Sequence, residues 1–182
     1  MSFHDLPEGL PAPEDDGAAD HLAGAAVPSV RLRSTDGGEV DLAAAAADLL
    51  VLYVYPRTGT PGVPLIEGWD DIPGARGCTP QNCAFRDHAA ELSGLGARVH
   101  GLSAQPLAEQ IEFAERERMP YALLNDAELR LAAELGLPTF EAGGTILYKR
   151  LTLIARAGRI ERVLYPVFPP GSDAAKVLDL LG

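Results

Sequence analysis

The pattern of apolar and polar residues along the chain predicts strands and helices in alternation. Two apolar runs without alternation are typical of strands covered on both faces, namely "DLLVLYVYP", which ends at Pro56, and "ARVHGLSA". Apolar residues recur at a helical spacing after Thr79, which we predict as the N-cap, with Pro80 as the first helical residue. The sequence also predicts helices in "PLAEQIEFAERER", "AELRLAAELG" and "SDAAKVLDLL", and a short strand in "YALLN".

Antiparallel hairpins are predicted near both ends of this pattern. The first lies in "VPSVRLRSTDGGEVDLA", whose turn contains Gly37 and Gly38. The second joins "TILYKRLTLIA" to "RIERVLYP" across residues 156–159. The glycine pairs in "TDGG" and "AGGT" are predicted as turns, since a phosphate-binding loop needs further glycines between a strand and a helix. Together these elements predict an α/β fold with a mixed central sheet flanked by helices.

Composition predicts how the chain is divided. With 182 residues, of which 47% are hydrophobic, the chain is long enough for one buried core and short for two ordinary domains. We expect one domain over residues 27–182. Residues 1–26 are rich in Pro, Asp, Glu, Gly and Ala and lack apolar periodicity, so they are predicted to be a flexible, acidic N-terminal arm.

Charge and the absence of targeting patterns narrow the function classes. The formal net charge is −11, and nucleic-acid binding is excluded because it depends on a basic surface. The sequence shows no signal peptide and no apolar stretch of membrane-spanning length, so we expect no membrane partner and a cytoplasmic location. In a reducing compartment two close cysteines are more often catalytic or metal-binding than permanently bonded.

Cys78 and Cys83, in "GARGCTPQNCAFRDH", are the two cysteines of the chain. A zinc site needs about four ligands. Here a second cysteine pair is missing and the four histidines show no matching spacing, so we predict no metal. A disulfide meets a geometric objection, because Cα atoms five residues apart on one helix are roughly 8.6 Å apart. The limit for bridging is about 7 Å, so that turn would have to unwind.

A redox role uses the same geometry. A thiolate at a helix N-terminus is stabilised by unpaired backbone N–H groups and by the helix dipole, and Cys78 is placed for this. Such a thiolate can attack a peroxide, and the resulting sulfenic acid can condense with a second thiol after local unfolding. Two ordinary free cysteines are the remaining alternative.

The segment "GCTPQNCAFRDHAAELSGLGARVHGLSA" resembles bacterial peroxiredoxins of the bacterioferritin comigratory protein or peroxiredoxin Q type. The resemblance covers most of residues 27–181. It includes the buried strand into "YP", the segment "YALLND" before a helix that ends in "LG", and "RLTLIARAGRI". Several motifs in the same order make the resemblance specific, whereas any one of them alone would be weak.

This resemblance implies a thioredoxin-like fold and thiol-dependent reduction of hydrogen peroxide and organic hydroperoxides, with no metal or organic cofactor. By position, Cys78 matches the peroxidatic cysteine and Cys83 the resolving cysteine. Arg150 matches the arginine that holds the thiolate and polarises the peroxide. Pro56 is expected to shield the thiolate, and the hydroxyl of Thr60 to hydrogen-bond it.

The resemblance also implies partners. The two cysteines would form an intramolecular disulfide that thioredoxin or a similar dithiol reduces. We expect a monomer or weak homodimer.

One departure from the family pattern precedes Cys78. The family runs Pro, three residues, Thr, two residues, Cys, whereas here Val63 stands where the cysteine is expected. An insertion of residues 63–77 therefore separates Thr60 from Cys78. Either the inserted loop returns and leaves Thr60 near the thiol, or another group supplies the hydrogen bond. The other candidates are Thr58 and the backbone around residue 77.

The insertion is unusually apolar and contains the sole tryptophan, Trp69. Such a loop is predicted to pack over the site as a lid or to serve a protein contact. The alternative is that it covers an edge of the core and has no chemical role.

Two other functions stay open on the residues alone. A thiol–disulfide oxidoreductase usually carries Cys-x-x-Cys, which this chain lacks. A redox-responsive binding protein would use the inserted loop to change partners when Cys78 is oxidised. Arg86 and Asp87 are predicted to form a local ion pair, and His88 to be a surface residue, rather than acid–base groups.

Overall fold

The computed structural model describes residues 2–182. These residues form nine strands: β1 (Arg31–Ser34), β2 (Glu39–Asp41), β3 (Leu49–Val54), β4 (Ala97–Ser103), β5 (Leu124–Asn125), β6 (Thr139–Ala142), β7 (Thr145–Tyr148), β8 (Leu151–Arg156) and β9 (Arg159–Leu164). They also form six α-helices: α1 (Leu42–Ala45), α2 (Cys78–Asp87), α3 (Ala89–Gly94), α4 (Leu107–Arg116), α5 (Arg130–Leu135) and α6 (Asp173–Leu181). Short 3₁₀ helices lie at Trp69–Asp71 and Pro170–Ser172. Within residues 2–182, none of the helices has the length and apolar character that crossing a membrane requires.

The central sheet has seven strands in the order β2-β1-β5-β4-β3-β8-β9. Strands β3, β4 and β5 are parallel and the other neighbours are antiparallel, which confirms the predicted mixed sheet. All six residues of β3 are buried, as its unbroken apolar run predicts. Alternate side chains of this strand point to opposite faces. One face packs with Phe85 of α2 and Val177 of α6, and the other with Leu42 of α1 and Leu131 of α5.

The predicted hairpins form at β1–β2 and β8–β9, but "TILYKRLTLIA" is not one strand. Strand β7 ends at Tyr148 and β8 begins at Leu151. The cause is a change of partner, since β7 pairs with β6 in a separate two-stranded sheet and β8 pairs with β3. Arg150 lies at this change of sheet.

Helix α2 begins two residues earlier than predicted, at Cys78 rather than Pro80. Its N-cap is Gly77, with φ of 111°, so the prediction of Thr79 as N-cap and Pro80 as first helical residue is wrong. Glycine is required there for a second reason, because a Cβ would lie 2.5 Å from Pro170 Cγ. The helix also ends at Asp87, and α3 resumes after a break at residue 88.

The N-terminal segment lies against the domain. Leu22, which the sequence assigns to the arm, is fully buried, and Ala26 pairs with Arg159 in an isolated bridge. The core therefore begins before residue 27. The sequence pattern did not predict this, because one apolar side chain without periodicity gives no strand or helix signal. The flexibility of residues 1–26 stays a prediction.

The insertion packs on the hairpin of β6 and β7. Trp69 is buried in a cluster with Ala142 and Leu147, and its ring centroid lies 6.0 Å from that of Phe140. The predicted packing of this apolar loop is thereby confirmed. Its role as a lid or protein contact stays a prediction.

Candidate active site

Helix α2 is held on the sheet by Tyr53 of β3. The Tyr53 hydroxyl donates to Asn82 Oδ1 (2.7 Å), and Asn82 Nδ2 donates to the carbonyl of Cys78 (2.9 Å). The ring of Tyr53 stacks on Phe85 at a centroid distance of 4.2 Å. Burial raises the pKa of Tyr53, so its hydroxyl stays a neutral donor. These contacts fix the first turns of α2, and with them the position of Cys78.

Cys78 is the first residue of α2 and is 3% exposed. Its Sγ lies 3.4 Å from Arg150 Nη2 and 3.7 Å from the carbonyl oxygen of Ala75. The carbonyl alone would favour a neutral thiol, but it also accepts a hydrogen bond from the same guanidinium (3.0 Å). The helix N-terminus and the cation both stabilise negative charge that develops on the sulfur.

Arg150 joins the inserted loop to α2. Its Nη2 donates to the carbonyls of Gly74 (3.2 Å), Ala75 (3.0 Å) and Arg76 (3.2 Å), and its Nη1 donates to Gln81 Oε1. The guanidinium is 4% exposed. Because one buried cation binds three successive carbonyls, it fixes the turn through which the insertion returns to the cysteine.

Behind Arg150 lies a buried polar network that the sequence reasoning missed. Gln81 Nε2 donates to Asp173 Oδ2 (2.8 Å), and the hydroxyl of Thr152 donates to the same oxygen (2.6 Å). Burial raises the pKa of the Asp173 carboxyl. Within residues 2–182, Arg150 Nε and Asp173 Oδ1 are buried without a hydrogen-bond partner.

One sequence signal could have found Gln81, which lies three residues after Cys78 and so on the same helix face. Asp173 had a weaker signal, as an acidic residue in the first turn of a predicted helix.

The structure places the predicted activating residues differently. Pro56 is buried after β3, and its carbonyl accepts from Ser103 Oγ (2.9 Å). Thr58 donates through its hydroxyl to Gln105 Oε1 (3.2 Å). Thr60 is partly exposed and lines a neighbouring pocket.

The structure thus brings Cys78 and Arg150 together. Among the described residues, the hydrogen-bond partners of the Cys78 thiol are Arg150 and Ala75, and neither Thr58 nor Thr60 is one of them. A catalytic role for Thr60 or Pro56 stays a prediction.

Access to Cys78 is through a narrow pocket formed by the arm, the loop after β3 and the insertion. Its lining residues are Phe3, Arg57, Gly59, Leu65, Trp69, Arg76, Gly77 and Thr79. The Arg76 guanidinium lies 5.7 Å from the ring centroid of Phe3 and pairs with Asp70 (2.8 Å). Arg57 binds the Glu109 carboxylate through two nitrogens, at 2.6 and 3.1 Å. The pocket is therefore lined by apolar side chains and by two arginines that are both paired with carboxylates.

Cys83 lies in the second turn of α2 and faces different groups. Its Sγ is 3.6 Å from Glu117 Oε2 and 4.0 Å from His4 Nδ1. Burial raises the pKa of Cys83 to about 11, and the adjacent Glu117 adds to this against the opposing charge of Arg86. Both cysteines are free thiols.

His4, Cys83 and Glu117 also form a group that could hold a metal ion, with ligand atoms within 4.8 Å of one another. Charge argues against a cation there, because Glu117 is already bound by Arg116 (2.8 Å) and Arg86 (3.2 Å). Two guanidiniums at one carboxylate would repel a divalent ion. The predicted absence of a metal stays a prediction.

Beside Cys83, the predicted surface roles are confirmed. Arg86 Nε pairs with Asp87 Oδ1 (2.9 Å), and His88 is at the surface, where it contacts Glu91 (2.8 Å). Arg86 has a further role, since its Nη1 donates to the Glu117 carbonyl (2.8 Å).

Known proteins resemble this chain in both sequence and structure. The family model described as Redoxin matches residues 22–181. Chloroplastic peroxiredoxin Q of Oryza sativa subsp. japonica is 29% identical over 158 residues, which are 87% of this chain and 65% of that protein. Chloroplastic peroxiredoxin Q of Populus jackii is also 29% identical, over 87% of this chain and 67% of that protein. The chain thus spans 65% of the length of the rice protein and 67% of the length of the Populus protein.

Solved structures agree with the sequence matches. The crystal structure of peroxidoxin BcpB from Mycobacterium tuberculosis has a TM-score of 0.71 and 29% identity, and it covers 88% of this chain and 96% of that one. Peroxiredoxin Q of Xanthomonas campestris, at 21% identity, shows the same fold with a TM-score of 0.69 over 88% of this chain and 94% of that one. These matches confirm the thioredoxin-like fold and the resemblance to bacterioferritin comigratory protein and peroxiredoxin Q. The chain therefore belongs to the Redoxin family.

Proposed function

We propose that this protein is a thiol-dependent peroxidase that reduces hydrogen peroxide and organic hydroperoxides. The observation that carries the proposal is the contact of 3.4 Å between Arg150 Nη2 and Cys78 Sγ at the N-terminus of α2. A fixed guanidinium beside the sulfur stabilises the thiolate, and its forked donors suit the oxygens of a peroxide. The relatives that carry the name peroxiredoxin Q support the same activity.

In the first step the Cys78 thiolate attacks one oxygen of the peroxide. A sulfur–oxygen bond forms while the oxygen–oxygen bond breaks, and the leaving oxygen takes a proton to become water or an alcohol. Cys78 becomes a sulfenic acid. Arg150 stabilises the charge that passes from sulfur to the leaving oxygen.

In the second step Cys83 condenses with the sulfenic acid, and water leaves. Both residues lie in α2, so the first turns of the helix must unwind before the sulfurs can meet. Unwinding would release the bond from Asn82 to the Cys78 carbonyl. Thioredoxin or a similar dithiol would then reduce the disulfide by thiol exchange.

The proposal includes a cytoplasmic location and a monomer or weak homodimer. A cycle that depends on a dithiol reductant fits a reducing compartment.

The test is peroxide consumption with thioredoxin, thioredoxin reductase and NADPH, beside reduction of insulin disulfides. Wild type should consume peroxide and reduce insulin poorly. The Cys78→Ser variant should fall to background, by about 10⁴-fold or more, as enzymes do when a nucleophile is lost. Substantial remaining activity would contradict the assignment of Cys78. Insulin reduction without peroxide consumption would instead favour a thiol–disulfide oxidoreductase.

A further inference from the structure

The arm and the segment after α4 meet at Cys83. The imidazole of His4 contacts both the thiol and a carboxylate, with Nδ1 at 4.0 Å from Cys83 Sγ and Nε2 at 3.2 Å from Glu117 Oε1. Glu117 is 7% exposed and is held in place by Arg86 and Arg116. The order thiol, imidazole, carboxylate is the arrangement by which an acid-oriented histidine can accept a proton from a nucleophile.

The partners assign the tautomer. The Glu117 carboxylate can only accept, so Nε2 of His4 carries the proton that points to it. Nδ1 is then an acceptor, and it faces the Cys83 thiol. Glu117 Oε2 is nearer to that sulfur, at 3.6 Å, but the two oxygens of this carboxylate are already bound by Arg86 and Arg116. Imidazole is the better proton acceptor near neutral pH.

Cys83 has a chemical need for such a base. The thiolate is the nucleophile in disulfide formation, and a thiol with a pKa of about 11 is ionised in only about one molecule in 10⁴ at pH 7. The charged groups facing this thiol act in opposite directions, since Arg86 lowers the pKa while Glu117 and Asp87 raise it.

We propose that His4 is the general base for Cys83 in disulfide formation and that Glu117 positions its imidazole. The inference rests on the proposed peroxidase function. His4 Nδ1 takes the proton of the Cys83 thiol, and the Cys83 sulfur then bonds to the sulfur of the Cys78 sulfenic acid. The sulfur–oxygen bond breaks, and the hydroxide that leaves receives the proton from His4 and departs as water. Atoms and charge balance without another reactant.

The proposed base lies outside the part of the chain that the family model matches. The family model begins at residue 22, whereas His4 lies in the N-terminal arm. Two neighbours hold this part of the arm at the site: Phe3 lines the Cys78 pocket, and Leu6 packs close to Gly77. The arm therefore contributes a group to the second step and leaves the Cys78–Arg150 contact of the first step to the domain.

The test separates the two steps by stopped-flow fluorescence of Trp69, which lines the Cys78 pocket. Reduced protein is mixed with hydrogen peroxide. The rate of the first phase, sulfenic acid formation, should increase with peroxide concentration. The rate of the second phase, disulfide formation, should not depend on it. In His4→Gln we expect the second phase to slow by about 10²-fold at pH 7, the lower end of general base contributions. Acid quenching and mass spectrometry assign each phase.

The control is His88→Gln, an exposed histidine at the end of the same helix, which should leave both phases as in wild type. A second variant tests chemistry against structure. In His4→Gly, added imidazole should restore the second phase, because the His4 side chain is 54% exposed and solvent reaches its place. A structural role would not be rescued.

Glu117→Gln tests the positioning role. The second phase should slow in this variant, and Glu117→Asp, which keeps a carboxylate that can accept from His4 Nε2, should recover part of the rate. Added to His4→Gln, Glu117→Gln should slow the second phase no further, because Glu117 acts through the imidazole.

Four outcomes would overturn the inference. They are an unchanged second phase in His4→Gln, equal slowing of both phases, no rescue by imidazole, and further slowing of the second phase when Glu117→Gln is added to His4→Gln. The proposed function fails separately, if wild type shows no phase that depends on peroxide.

Discussion

The two cysteines of α2 lie five residues apart on one helix and have opposite surroundings. Cys78 faces the helix N-terminus and the guanidinium of Arg150 at 3.4 Å. Cys83 faces the carboxylate of Glu117 at 3.6 Å, and its pKa is raised to about 11. The two sulfurs thus have opposite electrostatic surroundings, which fits the proposed roles of Cys78 as nucleophile and Cys83 as resolving thiol.

The difference comes from distant parts of the chain rather than from the helix itself. Arg150 lies between β7 and β8, where the chain passes from one sheet to the other. Glu117 follows α4, and His4 belongs to the N-terminal arm. In the proposed cycle Cys78 reacts with the peroxide before Cys83 reacts. A raised pKa of Cys83 supports this order, because an ionised Cys83 would compete for the peroxide.

Among variants that keep both cysteines, the largest effect should come from replacing the Arg150 guanidinium beside Cys78. Arg150→Lys keeps the charge but loses the planar donors that hold Gln81 and the carbonyls of the returning loop. We expect the peroxide-dependent rate to fall by about 10²-fold, the cost of losing an oriented donor at a developing charge. The control is Arg156→Lys, an exposed arginine of β8. A rate within twofold of wild type would show that Arg150 is structural.

The raised pKa of Cys83 can be measured directly. In Cys78→Ser, the rate of alkylation by iodoacetamide should still rise tenfold per pH unit between pH 8 and 10, as expected for a thiol with a pKa of about 11. An ordinary cysteine, with a pKa of about 8.5, would level off in that range. The same variant unfolded in urea is the control and should level off. A plateau in the native protein would contradict the contrast between the two thiols.

A smaller effect should follow from crowding the start of α2. Gly77→Ala adds a Cβ at 2.5 Å from Pro170 Cγ and 3.1 Å from Leu6 Cδ2. Gly96→Ala is the matched control, because its φ is also positive but nothing lies within 4 Å. The free energy of unfolding should fall by about 1–3 kcal/mol more in Gly77→Ala than in the control, which is the usual cost of adding a methyl group to a well-packed site. Equal losses would mean that the helix start is not tightly packed.

The smallest effect concerns Asp173 behind Arg150. The pKa of this carboxyl is raised in the folded protein, so the folded state binds its proton more readily than the unfolded state. Stability from this group is therefore present at low pH and is lost as pH rises above the ordinary Asp value of about 3.9. In Asp173→Asn that loss should disappear. Urea unfolding between pH 4 and 7 measures it, and identical pH slopes in both proteins would contradict the account.

Local patterns were enough to predict much of the fold. The unbroken apolar run of β3, the glycine turn of the first hairpin and the helical spacing after residue 78 depend on near neighbours. The start of α2 was misplaced because Gly77 caps it through backbone geometry and contact with Pro170, and sequence propensities favour a threonine cap.

The site was less predictable, since its contacts join residues far apart in sequence. The pairing of Arg150 with Cys78 came from family resemblance, and the structure gives its geometry. The contacts from Gln81 to Asp173 and from His4 to Cys83 span 92 and 79 residues. No spacing rule reports such contacts, because they depend on how the layers pack.

The most direct test of the contrast between the two thiols is mass spectrometry after one equivalent of hydrogen peroxide. Wild type should lose two hydrogens as Cys78 and Cys83 join, and Cys83→Ser should gain one oxygen at Cys78. Oxidation first at Cys83, or no change in either protein, would contradict the assignment of Cys78 as the thiol that reacts with peroxide.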